Sequence, residues 1–93
     1  MRLSRNKMPA APTADRQPLS ALAPGARAVV VGVLGDDAVS ERLGASGLWP
    51  GAAVEAVARA PFGGPLLVRL HGFRLALRRE EAARVEVVEV VAS

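Results

Sequence analysis

The chain of 93 residues holds one histidine, His71, and no cysteine. A Ser–His–Asp arrangement needs an imidazole as its base, so His71 would have to supply it. It stands in His71-Gly72, a two-residue link between apolar runs, and nothing in the sequence places a Ser or an Asp beside it. It reads as a surface turn residue. The lack of Cys removes thiolate catalysis, thiolate metal sites and disulfides. The carboxylates that could serve as ligands come in adjacent pairs, Asp36-Asp37 and Glu80-Glu81. Neighbours on a helix point about 100° apart, so neither pair forms a clamp by itself. The first pair suits a helix N-cap and the second a solvated turn. Gly63-Gly64 lacks both the strand–loop–helix order and the following Lys of a phosphate loop. The expectation is a protein that is not an enzyme, with no catalytic residue, no cofactor and no metal site.

The aromatic residues remain: Trp49, Phe62 and Phe73. Three are too few for the stacking platform of a single-stranded nucleic-acid barrel. They are also too few for an aromatic groove that takes Pro-rich peptides. Phe73 is expected to face the core. Trp49 and Phe62 lie in loops beside Pro and Gly, where each either closes an end of the core or stands out as an anchor for a partner. Together with Leu48 and Leu66 they make the expected partner interface. Weak self-association is a further expectation.

These residues need elements to hold them. Asp36 to Gly51 reads as one short helix with both ends specified. Asp36 or Asp37 can cap its start, Val39 and Leu43 share a face, and Gly47 fits the left-handed position just past its end. Leu48 can then fold back onto Leu43, while Pro50-Gly51 forbids continuation. The other periodic stretches read as strands. Ala26 to Leu34 is a Val-rich buried strand, with Gly32 marking a bulge. Ala53 to Ala60 is bounded by turn residues to strand length. Leu66 to Leu70 and Phe73 to Leu77 flank His71-Gly72 as a tight hairpin. Arg79 to Ala83 suits a single helical turn, and Val85 to Val91 is a last strand that must meet the first to close the sheet. Leu19 and Leu22 dock at the core edge. The reading is mainly β: a small barrel of five strands with one short helix in the first long loop. Val29, Val54, Val68, Leu75 and Val87 are expected to share its interior.

Charge divides the chain into two parts. Met1 to Pro18 holds Arg2, Arg5, Lys7 and Arg16 against Asp15, which accounts for the whole formal charge of +3. From Leu19 onward eight arginines meet eight carboxylates. Residues 1–18 therefore read as a disordered basic tail and 19–93 as one neutral domain, which disfavours specific nucleic-acid binding. The first residues lack the apolar run of a signal peptide. No apolar run approaches the roughly 20 residues of a membrane helix. The chain is expected in the cytoplasm, meeting a membrane only through a partner.

Four stretches together resemble the FeoA family: L-x-x-L-x-P-G at Leu19 to Gly25, R-L-x-x-x-G-L-x-P-G at Arg42 to Gly51, A-P-x-G-x-P at Ala60 to Pro65, and F-R-L-A-L-R-R-E-E-A at Phe73 to Ala82. The resemblance covers Leu19 to about Val91. It implies an SH3-like barrel and an accessory role in ferrous iron transport, exerted on the cytosolic G-domain region of the transporter FeoB. The same fold occurs as the C-terminal domain of iron-dependent repressors, so a free-standing repressor-type interaction domain is the alternative. The sequence departs from the family pattern at Gly44, within the helix, at Gly64, where an acidic residue is common, and at Trp49, which is bulkier than usual.

Overall fold

The computed structural model describes residues 15–90. A short strand β1 (Arg16–Pro18) leads into a 3-10 turn at Leu19–Ala21, followed by β2 (Arg27–Val33) and helix α1 (Ala38–Ala45). Then come β3 (Ala53–Arg59), β4 (Leu66–Leu70), β5 (Phe73–Leu77), a single-turn helix α2 (Arg79–Ala82) and β6 (Val85–Val90). All pairings are antiparallel, in the order β1-β6-β2-β3-β4-β5. The architecture is the expected mainly-β barrel with one short helix in its first long loop. The closure of first long strand on last is the β2–β6 pair.

The structure adds a sixth strand. Arg16–Pro18, expected within the tail, pairs with β6, setting Arg16 opposite Val88 and Pro18 opposite Glu86. Pro18 can occupy this place because an edge strand tolerates a missing N–H. The rest of the expected tail, residues 1–14, lies outside the described residues.

The register slips between Val30 and Gly32, so the expected bulge at Gly32 is present, and a second slip falls between Ala56 and Ala58. Such irregularities bend a strand and raise its twist, which lets a small sheet curl round one core. That core contains Leu19 and Leu22, which are fully buried, together with Val30, Leu43, Val54, Val68 and Val87. Leu75 packs against it half-buried. Val29 departs from expectation. Ala28 and Val30 point inward, and strict alternation along β2 turns Val29 to the opposite face. An unbroken run of valines hides this parity in the sequence, because each face looks equally apolar. Glu89 shares the parity of Val85 and Val87 yet is exposed, since β6 runs past the end of the core.

Helix α1 is fastened at both ends. Asp37 is the N-cap: its carboxylate accepts from the Ser40 N–H at 3.1 Å, while the Ser40 hydroxyl donates to the Asp37 carbonyl at 2.9 Å. At the other end the Leu48 N–H donates to the Leu43 carbonyl at 3.3 Å and the Gly47 N–H to the Gly44 carbonyl at 3.0 Å. This is the Schellman arrangement, with Gly47 at φ 112° in the place that only Gly occupies cheaply. Leu48 and Leu43 are both buried beside it, each such burial being worth roughly 1.5–3 kcal/mol.

Candidate partner interface

The helix stop aims Trp49 outward. Pro50 and Gly51 make a tight turn in which the Ala52 N–H donates to the Trp49 carbonyl at 3.0 Å and φ is 94° at Gly51, as a type II turn requires. The turn is tied to β2 by two further bonds, Gly51 N–H to the Val30 carbonyl and Val30 N–H to the Ala52 carbonyl, both 2.8 Å. Leu48 is pulled into the core while Trp49, the next residue, is left 50% exposed.

The hairpin between β4 and β5 supplies what Trp49 rests on. His71 and Gly72 have φ of 51° and 80°, positive at both places, as a two-residue type I′ turn demands. The turn carries the imidazole toward the helix stop. His71 Nε2 donates to the Gly47 carbonyl at 3.0 Å, since a carbonyl oxygen can only accept. The imidazole also stacks on the indole, with ring centroids 4.7 Å apart and planes 30° from parallel. Phe73 also lies against the imidazole, tilted by 38° with centroids 6.2 Å apart. The closeness is strict: a Cβ on Gly47 would lie 2.7 Å from His71 Cδ2. Stacked and tilted rings at these separations attract one another beyond their buried area.

Phe73 therefore does not face the core as expected; it is 46% exposed. It has the parity of Leu75 and Leu77, and Leu70 opposite it is buried in the core, but burial along the edge strand β5 falls from Leu77 through Leu75 to Phe73 at the hairpin tip. His71 is the turn residue that the sequence suggests. Its bond to Gly47, 24 residues away in the chain, has no local signal.

Next to the aromatic trio lies an open groove of about 340 Å³ on the outer face of the sheet. Val29, Ala53 and Val90 give it an apolar floor and lip, His71 one wall, and the Arg69–Glu55 pair at 3.3 Å another. The outward parity of Val29 makes this floor. Exposed apolar surface bordered by charge is the usual composition of a protein-binding patch.

The four residues of the expected interface do not meet on one surface. Leu48 and Leu66 are buried, so they hold the loops from inside. Trp49 and Phe62 are exposed but belong to opposite ends of β4: the Phe62 loop enters that strand, and the His71 turn under Trp49 leaves it. Phe62 tops a turn closed by the Gly64 N–H donating to the Pro61 carbonyl at 3.2 Å. It is fully exposed and has φ of 60°, a region where a bulky side chain is strained.

The arrangement offers contact and little chemistry. His71 makes one hydrogen bond to a backbone carbonyl, and no set of three or more His, Asp or Glu side chains gathers to hold a metal ion among the described residues. No helix among them is long and apolar enough to cross a membrane.

The comparisons with known proteins agree with one another. The FeoA domain model matches residues 17–89. FeoA from Stenotrophomonas maltophilia is 43% identical, covering 76% of this chain and 88% of that one with a TM-score of 0.68. That protein was solved with zinc and is described as a prokaryotic SH3 domain protein and a candidate activating factor of ferrous iron transport. FeoA from Chlorobium tepidum is 36% identical over 83% of this chain and 73% of that one, with a TM-score of 0.75. A manganese-dependent transcriptional repressor is 21% identical over 85% of this chain and 44% of its own, with a TM-score of 0.75, a likeness of fold alone. No curated protein matches the chain in sequence.

Proposed function

The chain belongs to the FeoA family, and from that membership we propose that it is a cytosolic, non-enzymatic accessory of ferrous iron uptake that regulates a FeoB-type transporter by direct contact. The observation that carries this reading is Trp49, half-exposed yet held in one orientation by the His71 stack and the Pro50-Gly51 turn. A large aromatic already ordered in the free protein loses little side-chain freedom on binding, which suits it to be an anchor. Phe62 supports the reading separately. It buries nothing within the chain and sits in strained backbone, so folding alone gives no reason for it. The partner surface is then the Trp49–His71–Phe73 trio with the groove floored by Val29, and Phe62 is a second contact at the other end of β4. Leu48 and Leu66 support the two loops from within.

The test is binding of the cytosolic region of the cognate FeoB, measured by calorimetry. Trp49→Ala is expected to weaken binding by at least about tenfold, the scale of losing a well-packed aromatic anchor. Phe62→Ala should weaken it less, and both variants should remain folded. Unchanged affinity in a folded Trp49→Ala variant would discard this surface, and no binding by the unaltered protein would discard the partner.

A further inference from the structure

The sheet has a long open edge, and it lies in a groove. Among the described residues β5 pairs with β4 on one side and with no strand on the other. The type I′ turn fixes which backbone groups face which way. Leu70 and Phe73 flank the turn and exchange hydrogen bonds, so Leu75 and Leu77 also bond to β4, by the alternation of an antiparallel pair. The N–H and C=O groups of Arg74 and Ala76 consequently point away from the sheet. Neither residue makes a backbone hydrogen bond elsewhere among the described residues. The edge ends at Arg78, whose N–H is taken by Glu81 Oε1 at 2.9 Å.

Facing this edge is helix α1. Between them runs a groove of about 330 Å³, lined by Leu75, Ala76 and Leu77 on the strand side and by Arg42, Leu43 and Ser46 on the helix side, with Arg78 and Glu81 at one end. The groove has an unpaired strand as one wall and cations at its rim. Its two arginines meet one carboxylate, Glu81, which Arg42 already engages. Arg42 remains 60% exposed and keeps N–H donors beyond the one that Glu81 takes. Arg78 is exposed beside it.

We propose that β5 is a docking edge that takes an extended, acidic peptide segment by strand addition. The backbone of Arg74 and Ala76 supplies the ladder bonds, and Arg42 and Arg78 receive its carboxylates. Strand addition draws affinity from main-chain bonds and selectivity from side chains beside the ladder, and both parts are present here. Arginine at an open edge also discourages pairing with a neutral or basic strand, which narrows the choice to an acidic one. The edge begins at Phe73, which also belongs to the Trp49 patch, but the groove is lined by none of the trio, and the proposal does not depend on the transporter being the partner of that patch.

The experiment uses the full-length chain labelled with nitrogen-15 and two short synthetic peptides. One alternates Val and Glu; the other has Gln in place of each Glu. Saturation with the Glu peptide should slow hydrogen exchange at the Arg74 and Ala76 amides, and the Gln peptide should bind at least about tenfold more weakly, the scale of a lost charge-assisted hydrogen bond. Ala76→Pro removes an outward N–H without touching the β4 ladder and should abolish the protection. If that variant fails to fold, Arg78→Ala serves instead: it should weaken the Glu peptide and leave the Gln peptide unchanged. The proposal is overturned by absence of protection at Arg74 and Ala76, or by equal binding of the two peptides. Protection that grows with protein concentration and needs no peptide would identify a second copy of the chain as the occupant and would likewise overturn it.

Discussion

Gly47 joins the helix stop to the aromatic trio through a single atom's worth of space. Its φ of 112° closes the Schellman motif, and the absence of a Cβ lets the His71 ring approach. Gly47→Ala would meet both the backbone strain and the clash with His71 Cδ2. A loss of at least about 1–2 kcal/mol in stability is expected, read from urea unfolding midpoints. Because His71 must withdraw, Trp49 should lose its stacking partner, seen as a change in its fluorescence in the folded variant. An Ala variant with unaltered stability and emission would show that Gly47 sets neither. The need for Gly47 was legible, because a Gly just past an apolar pair and before Pro50 is a local helix-stop pattern. What approaches Gly47 was not. His71 arrives from a hairpin tip in another part of the chain, and long-range packing of this kind leaves no mark on the residues nearby. The exposure of Phe73 is hidden for a related reason: parity gives the face a side chain takes, but not that its strand lies at the sheet edge, where Phe73 stays open although Leu70 opposite it is buried.

At the scale of the element, α1 is held by charge as well as by its caps. Arg84, in the link between α2 and β6, donates to Asp37 Oδ1 at 2.6 Å, so the N-cap carboxylate is shared between its own helix and the far end of the chain. The hydrogen bond from Arg84, followed by that from the Ser40 N–H, holds the Asp37 carboxyl well below the usual carboxylate range. The Arg84 guanidinium is raised in turn by the bond to Asp37. A carboxyl whose folded pKa is depressed contributes stability that is present above its unfolded value of about 3.9 and is lost as pH falls through the folded one. Both side chains are substantially exposed, so solvent screens the pair. Asp37→Asn keeps a capping side chain and removes the charge. It should be less stable than the unaltered protein from about pH 5 upward, with the difference shrinking as pH falls below about 4. Thermal unfolding across that range decides it, and a difference constant with pH would remove Arg84 pairing as the cause. The sequence left the cap between Asp36 and Asp37. The choice falls on Asp37 because the helix begins at Ala38 and places Ser40 where its N–H reaches back. The strands were largely legible, since turn residues bound each one. Their facing was less so in β2, where an all-Val run conceals which residue looks inward.

From Leu19 onward the molecule is a neutral barrel with eight arginines against eight carboxylates, and it leaves Trp49, Phe62 and Phe73 exposed. Its closure through β2 and β6, its bulge at Gly32 and its I′ hairpin all follow from residue order. The short β1 does not, because three residues beside a basic, Pro-rich stretch carry no periodicity. The proposed partner surface around Trp49 gathers residues from the helix stop, the hairpin tip and the outward face of β2, and only folding brings those three places together. Trp49 is the single tryptophan of the chain, which makes it a reporter for that surface. The most direct measurement is fluorine NMR of the chain labelled with 5-fluorotryptophan, titrated with the unlabelled cytosolic region of the cognate FeoB, so that only Trp49 is seen. The account predicts one resonance that shifts in step with complex formation and reports burial of the ring. A complex that forms while this resonance stays where it was would contradict it.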